Sequence, residues 1–273
     1  MFLIDQLSKN DIWIIVIGMA LPFLATVLGA AVVFFIRGEI DRKTNSVLLG
    51  FAAGIMVAAS IWSLIMPSYE MAGENWGENF ALVPVTIGFI LGALLMYGTD
   101  KLVPHIHKTS NIEEGIKTKK LSREAKLFFA MTIHNIPEGL AVGFAFAVAA
   151  KGGGGLTILG ALALAIGISL QDIPEGAAVS LPMAQSAGTK KKAFLYGVLS
   201  AVVEPIGAIA AFFFATFFAD LLPWFLSFAA GAMMYVVIEE LIPEAKLSED
   251  NHLGTFAVLG GFVLMMVLDL LLG

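Results

Sequence analysis

The chain has 273 residues, 58% of them hydrophobic and 14% charged, with a formal charge of −6 and no cysteine. Soluble domains carry about 25% charged residues, so this surface cannot all face water. Disordered, disulfide-stapled and thiolate-zinc classes are excluded, and a net negative charge with scattered basic residues excludes nucleic-acid binding through a basic face.

A helix needs roughly 20 predominantly apolar residues to cross the hydrocarbon core of a bilayer. Eight stretches qualify, at about 12–36, 46–67, 80–99, 125–150, 156–184, 192–218, 222–244 and 253–272. The first is too long for the apolar region of a secretory signal, and Asp5 and Asp11 dilute the basic flank such a signal needs. No stretch shows the ten-residue alternation of a membrane barrel. The expected fold is an all-α polytopic membrane protein with eight transmembrane helices. It forms a single transmembrane domain over 1–273 in the cell membrane, with the lipid bilayer as its surroundings.

Basic residues orient the spans. Of the 16 lysines and arginines, 14 fall in the connections after the first, third, fifth and seventh helices, and only Lys9 and Lys151 lie on the other side. Positive-inside bias then places both termini outside and the loop 101–124 in the cytoplasm. The chain also repeats itself. The second helix reads FAAGIM from Phe51 to Met56 and the seventh FAAGAM from Phe228 to Met233, and a proline ends each stretch, Pro67 and Pro243. Inside that pair, HNIPEG at 134–139 in the fourth helix is answered by QDIPEG at 171–176 in the fifth. The paired helices run in opposite directions, so an inverted 3+2+3 repeat is expected: helices 1–3 mirrored by 6–8 around a central 4–5 pair. Inverted repeats are typical of transporters that bind their cargo near the bilayer midplane.

Charged groups inside a membrane helix cost about 2.5–3.5 kcal/mol each on insertion scales, so Glu138, Asp172, Glu175 and Glu204 would together cost roughly 10–14 kcal/mol unpaired. No lysine or arginine lies at matching depth, which leaves protonation or a bound cation. His134 and Glu138 are four apart and share a helix face, Gln171 and Glu175 repeat that geometry, and Asn135 and Asp172 sit one position on. Imidazole, amide and carboxylate donors suit a borderline divalent ion such as Zn²⁺, Cd²⁺, Fe²⁺ or Mn²⁺. Four carboxylates are cancelled by two such ions, or by one ion and two protons. Pro137, Pro174 and Pro205 lie within a turn of these groups, and each removes a helical N–H and frees a carbonyl; a broken, wet stretch at mid-depth is expected there. Taken singly, His134 or Asn135 reads as interhelical hydrogen-bond glue. Glue has no need for four acids.

The HNIPEG and QDIPEG pair resembles the paired motif of the ZIP (ZRT/IRT-like) family of divalent metal transporters, in its prokaryotic branch. The resemblance extends over all eight helices and includes Glu204-Pro205 in the sixth and the ELIPE run at 240–244. It implies a binuclear metal site. His134, Glu138, Gln171 and Glu175 would form one half, and Asn135, Asp172 and Glu204 the other, with Glu138 and Glu175 bridging. It also implies uptake into the cytoplasm, a homodimer, and an elevator-like motion of helices 1, 4, 5 and 6 against helices 2, 3, 7 and 8. A metal-release site on the cytoplasmic side is implied from Asp100, His105, His107, Glu239 and Glu240. This chain departs from the family pattern at Gln171, where many members have histidine, and at Asp172, where asparagine is frequent. An amide oxygen is a harder, weaker ligand than imidazole, so broader selectivity than tight zinc preference is expected.

Other segments carry less. Glu70, Glu74 and Glu78 read as a hydrophilic external connection, Lys151 to Gly155 as a glycine turn, and His252, Asp269 and Gln185 as unremarkable. The glycines precede no G-K-[ST], so no nucleotide site is expected. An intramembrane metalloprotease needs HExxH, whereas the order here is H-x-x-x-E with proline between, so no enzymatic activity is expected. The alternative function is a proton- or cation-coupled carrier of a small organic solute that uses the same acids as a relay.

Overall fold

In the computed structural model, which describes residues 7–35, 41–102, 105–106, 113–114, 123–152, 154–186, 189–245 and 252–272, eight helices are long and apolar enough to cross a membrane. Helix α1 spans Lys9–Ala31 and opens on a capping box, in which Asp11 N donates to Ser8 Oγ at 3.2 Å and Ser8 N to Asp11 Oδ2 at 3.1 Å. Helix α2, Arg42–Trp76, starts at Asp41, whose carboxylate accepts from Lys43 N and Thr44 N at 3.1 and 3.0 Å. The Thr44 hydroxyl and these amides hold the Asp41 carboxyl below its ordinary range. Helix α3 is Glu78–Leu102, α4 is Arg123–Lys151 and α5 is Ile158–Ser186. Helix α6 comes in two pieces, Lys190–Ala201 and Val203–Phe217. Helix α7 runs from Leu222–Val236 through Val237–Leu241 into Ile242–Ala245, and α8 is Leu253–Leu272.

Two helices widen locally into π turns, over Ser60–Ile65 in α2 and Val237–Leu241 in α7. These lie at the same distance beyond the FAAG motifs of the two helices. Both helices stay continuous across the turn.

The helices associate in pairs: α1 on α5, α4 on α6, α2 on α8 and α3 on α7. Small residues let the backbones touch, as interhelical contacts in lipid require. A Cβ on Gly29 of α1 would fall on the Ile173 carbonyl of α5, and one on Gly143 of α4 on the Ala208 carbonyl of α6. Gly54 of α2 and Gly92 of α3 meet Val258 of α8 and Phe228 of α7 in the same way. Enclosure identifies the centre: 83% of the apolar window of α4 is buried, against 17% for α8. The outer faces are correspondingly apolar, with Leu28, Phe80, Phe217, Phe256 and Leu271 all exposed, as a lipid-facing surface demands. Gly152, Gly154 and Gly155 adopt φ of 70°, 59° and 66° in the α4–α5 connection, a left-handed turn that favours glycine.

The proline expectation needs correction in two helices of three. Helices α4 and α5 run unbroken through Pro137 and Pro174. Each proline costs one hydrogen bond and leaves the carbonyl four residues earlier, of Ile133 and Leu170, without its helical donor, but packing on both sides keeps the helix going. Only α6 breaks, at Val202, directly before Glu204-Pro205.

Candidate metal centre

Seven polar residues singled out in the sequence converge within the bundle. Helix α4 supplies His134, Asn135 and Glu138, α5 supplies Gln171, Asp172 and Glu175, and α6 supplies Glu204 from the first turn after its break. Every one of them is 2% exposed or less. The i, i+4 spacing puts His134 beside Glu138 on one face of α4, and the close contact of α4 with α6 at Gly139 carries Glu204 onto that face.

The donors fall into two groups. One side-chain atom from each of His134, Glu138 and Glu175 lies within 4.8 Å of the others, and the same holds for Glu138, Asp172 and Glu204. Glu138 belongs to both. His134 Nε2 is 3.5 Å from Glu175 Oε1 and 4.0 Å from Glu138 Oε1. Gln171 donates its amide N–H to Glu138 Oε1, and Asn135 donates to the Ser200 carbonyl at 3.2 Å.

Many of these atoms have no hydrogen-bond partner: both ring nitrogens of His134, both oxygens of Asp172 and of Glu175, Oε2 of Glu138 and of Glu204, and Oε1 of Gln171. Buried polar atoms are ordinarily satisfied, and an unsatisfied one costs about 1–3 kcal/mol, more if charged. A cluster of inward-facing orphan oxygens and nitrogens is what a cation would satisfy. The donor set is oxygen and imidazole nitrogen in a chain without cysteine, which fits Zn²⁺, Mn²⁺, Fe²⁺ or Cd²⁺.

Two further participants join the seven: Thr26, which carries no sequence signal, and Glu240, which the family resemblance placed instead at a cytoplasmic release site. Thr26 of α1 is buried, and its hydroxyl lies 3.2 Å from both Glu204 Oε1 and the Pro22 carbonyl. A threonine in an apolar span is common, and only the packing of α1 against the site gives this one a role. Glu240 lies in the π turn of α7, with Oε2 at 3.6 Å from His134 Nδ1.

The residues expected at a cytoplasmic release site are only partly in view. Asp100 is buried at the end of α3, and Glu239 is exposed beside Glu240. The backbone of His105 pairs with Glu114 in a two-residue antiparallel ladder, and His107 lies outside the described residues. At the other end of the bundle, Asp269 is not the unremarkable residue expected. It is buried in α8, accepts from Ser63 Oγ at 2.6 Å, keeps Oδ2 unpartnered, and lines a cavity of about 150 Å³ together with Glu70, Trp62 and Gly155.

Comparison with known proteins agrees with the motif pair. The model of the family described as ZIP Zinc transporter matches residues 11–127 and 115–269. Human "Zinc transporter ZIP11" is 35% identical, with 97% of this chain and 99% of the relative covered. "Zinc transporter ZIPB" of Bordetella bronchiseptica is 38% identical over 94% of this chain and 81% of its own length. "Zinc transporter GufA" of Myxococcus xanthus is 35% identical, with 91% and 95% covered.

Proposed function

The chain belongs to the ZIP zinc transporter family, and from that premise we propose that it carries Zn²⁺ and related divalent ions into the cytoplasm through the buried site between α4, α5 and α6. It is a multi-pass membrane protein of a metal-ion transporter family and not an enzyme. The observation that carries the proposal is the pair of adjoining triads that share Glu138, lined by orphan oxygens.

In this reading the ions are cargo, held at two adjacent positions. His134, Glu138, Gln171 and Glu175 bind one, and Asn135, Asp172 and Glu204 complete the other. The Gln171 amide must turn for its oxygen to bind, because its N–H now serves Glu138. Two divalent ions cancel four ionised carboxylates, which removes the cost of burying them. Cd²⁺, Fe²⁺ and Mn²⁺ are expected to compete, since no thiolate biases the site and an amide replaces an imidazole.

The pairwise packing supports alternating access. The α1–α5 and α4–α6 pairs carry every residue of the two triads, and the α2–α8 and α3–α7 pairs flank them. An elevator-like displacement of the first set against the second moves the site without dismantling it. An inverted repeat is supported by the matched π turns of α2 and α7. It is also supported by the pairing itself, because exchanging helices 1–4 with 6, 7, 8 and 5 turns α1–α5 into α6–α4 and α2–α8 into α7–α3. Both termini outside, a homodimer and residence in the plasma membrane complete the proposal. A carrier of organic solutes is not favoured, because the human, Bordetella and Myxococcus relatives bear zinc-transporter names.

The test is uptake into sealed proteoliposomes, with Zn²⁺ challenged by Cd²⁺, Fe²⁺ and Mn²⁺. Saturable uptake that is lost in Glu175→Ala is expected. Equal flux in wild type and variant would remove the site from the pathway.

A further inference from the structure

An imidazole offers a metal one nitrogen, and what the other nitrogen faces decides which. In His134, Nε2 faces the triad acids Glu175 and Glu138 at 3.5 and 4.0 Å. Nδ1 faces Glu240 Oε2 at 3.6 Å. Glu240 comes from α7, a helix that supplies nothing to either triad. It sits within the π turn Val237–Leu241, where an extra residue per turn rotates the remainder of the helix by about 100° relative to an uninterrupted α-helix. The outcome is a sorting of neighbours. Glu239 is exposed, whereas the Glu240 side chain is only 15% exposed and lies against the ring.

We propose that Glu240 is a positioning residue for the cation site, accepting the Nδ1–H of His134 so that Nε2 is the nitrogen offered to the ion. This rests on the His134–Glu138–Glu175 triad taking a divalent cation. A neutral imidazole carries one proton. The ring has a carboxylate on each side, Glu175 at 3.5 Å from Nε2 and Glu240 at 3.6 Å from Nδ1. A cation among the triad acids displaces any proton from Nε2, and Glu240 then accepts the one that remains on Nδ1, leaving the Nε2 lone pair to the ion. Histidines that bind metals regularly use an outer carboxylate this way, to fix the tautomer and raise the basicity of the ligand. The present separation exceeds an N–H···O bond by about 0.6 Å, which a small rotation of the partly exposed Glu240 closes. Because α4 and α7 belong to different helix pairs, any displacement between the pairs takes His134 away from this support. The ion is then held less tightly in one position of the site than in the other.

The experiment uses the full chain in detergent, stripped with a chelator. Zn²⁺ titration calorimetry is combined with ¹⁵N spectra of histidine-labelled protein after Zn²⁺ is added back, in which His134→Ala assigns the resonance. Glu240→Ala is expected to weaken Zn²⁺ binding 10–100-fold and to mix the tautomers of His134. Glu240→Gln, whose amide oxygen still accepts from Nδ1–H, is expected to keep the single tautomer and most of the affinity. Packing alone would leave the tautomer unmoved. Wild-type affinity and tautomer in Glu240→Ala overturn the proposal. If that variant does not fold, loss of the tautomer signature in Glu240→Gln overturns it equally. Should wild type bind no Zn²⁺, or His134→Ala bind it as wild type does, the site reading itself falls, and no Glu240 variant is needed to see it.

Discussion

Gln171 donates its amide N–H to Glu138 across the α4–α5 contact, and its own carbonyl oxygen is left buried without a partner. The pair is therefore poised between two arrangements. In one the amide stabilises the carboxylate, and in the other it turns its oxygen to an ion. An imidazole at this position would bind through a softer nitrogen with no such turn. Gln171→His is expected to raise the preference for Zn²⁺ over Mn²⁺ in competitive uptake. An unchanged metal ranking would show that position 171 does not touch the cargo.

Glu175 has both oxygens orphaned and stands 3.5 Å from His134 Nε2. Its replacement by alanine removes two ligand oxygens and the approach to His134, but no hydrogen bond between helices. Uptake is expected to vanish while the melting temperature without metal stays close to wild type. The rise in melting temperature on adding Zn²⁺ should also shrink, since an ion that binds only the folded state stabilises it. Thermal melts with and without metal read this directly.

Thr26 reaches Glu204 from α1. Thr26→Val keeps the shape and deletes the hydroxyl, so Glu204 loses a donor while the packing of α1 persists. A hydrogen bond to a charged group contributes about 1.5–3 kcal/mol, so the KM for uptake is expected to rise roughly tenfold or more. A KM equal to that of wild type would reduce Thr26 to helix lining.

Gly139 is where α4 and α6 meet, and a Cβ there would lie 2.5 Å from the Glu204 carbonyl oxygen and 2.8 Å from its Cα. Backbone cannot yield as a side chain does. Gly139→Ala is expected to push Glu204 away from Glu138 and Asp172, and uptake should fall at least tenfold in protein that still inserts. Insertion and yield are followed on gels beside the flux, and a fully active variant would place Glu204 outside the site.

Acid should oppose uptake. The ligands bind metal only when deprotonated, so binding releases protons and each fall in pH lowers the apparent affinity. Zn²⁺ uptake measured at a series of external pH values is expected to decline on acidification, with KM rising before the maximal rate falls. A flat profile would mean that protons never compete for the carboxylates.

Much of this molecule is legible in one dimension. The length of an apolar run and the i, i+4 spacing of His134 and Glu138 are local properties, governed by bilayer thickness and helix pitch, so eight spans and two polar faces can be read without a fold. The helix breaks are less legible. Prolines 137 and 174 lie inside continuous helices, whereas α6 breaks at Val202, where the missing N–H of Pro205 leaves the Ala201 carbonyl without its helical donor. The π turns at Ser60–Ile65 and Val237–Leu241 contain no proline, and only their matched position between the FAAG motifs and Pro67 or Pro243 marks them in the sequence.

By itself the sequence determined the class of protein, the number of membrane helices and the identity of the acids that lipid could not tolerate unpaired. Which of those acids share an ion-sized space was decided only by tertiary structure. Glu204 meets Glu138 and Asp172 through the close α4–α6 crossing, Thr26 reaches Glu204 through the α1–α5 pair, and Glu240 reaches His134 through a π turn. The physical reason is one of range. Hydrophobic length and helical period act over a few residues, while the contacts that assemble a charged site join positions far apart in the chain, set by how small residues let particular helices touch.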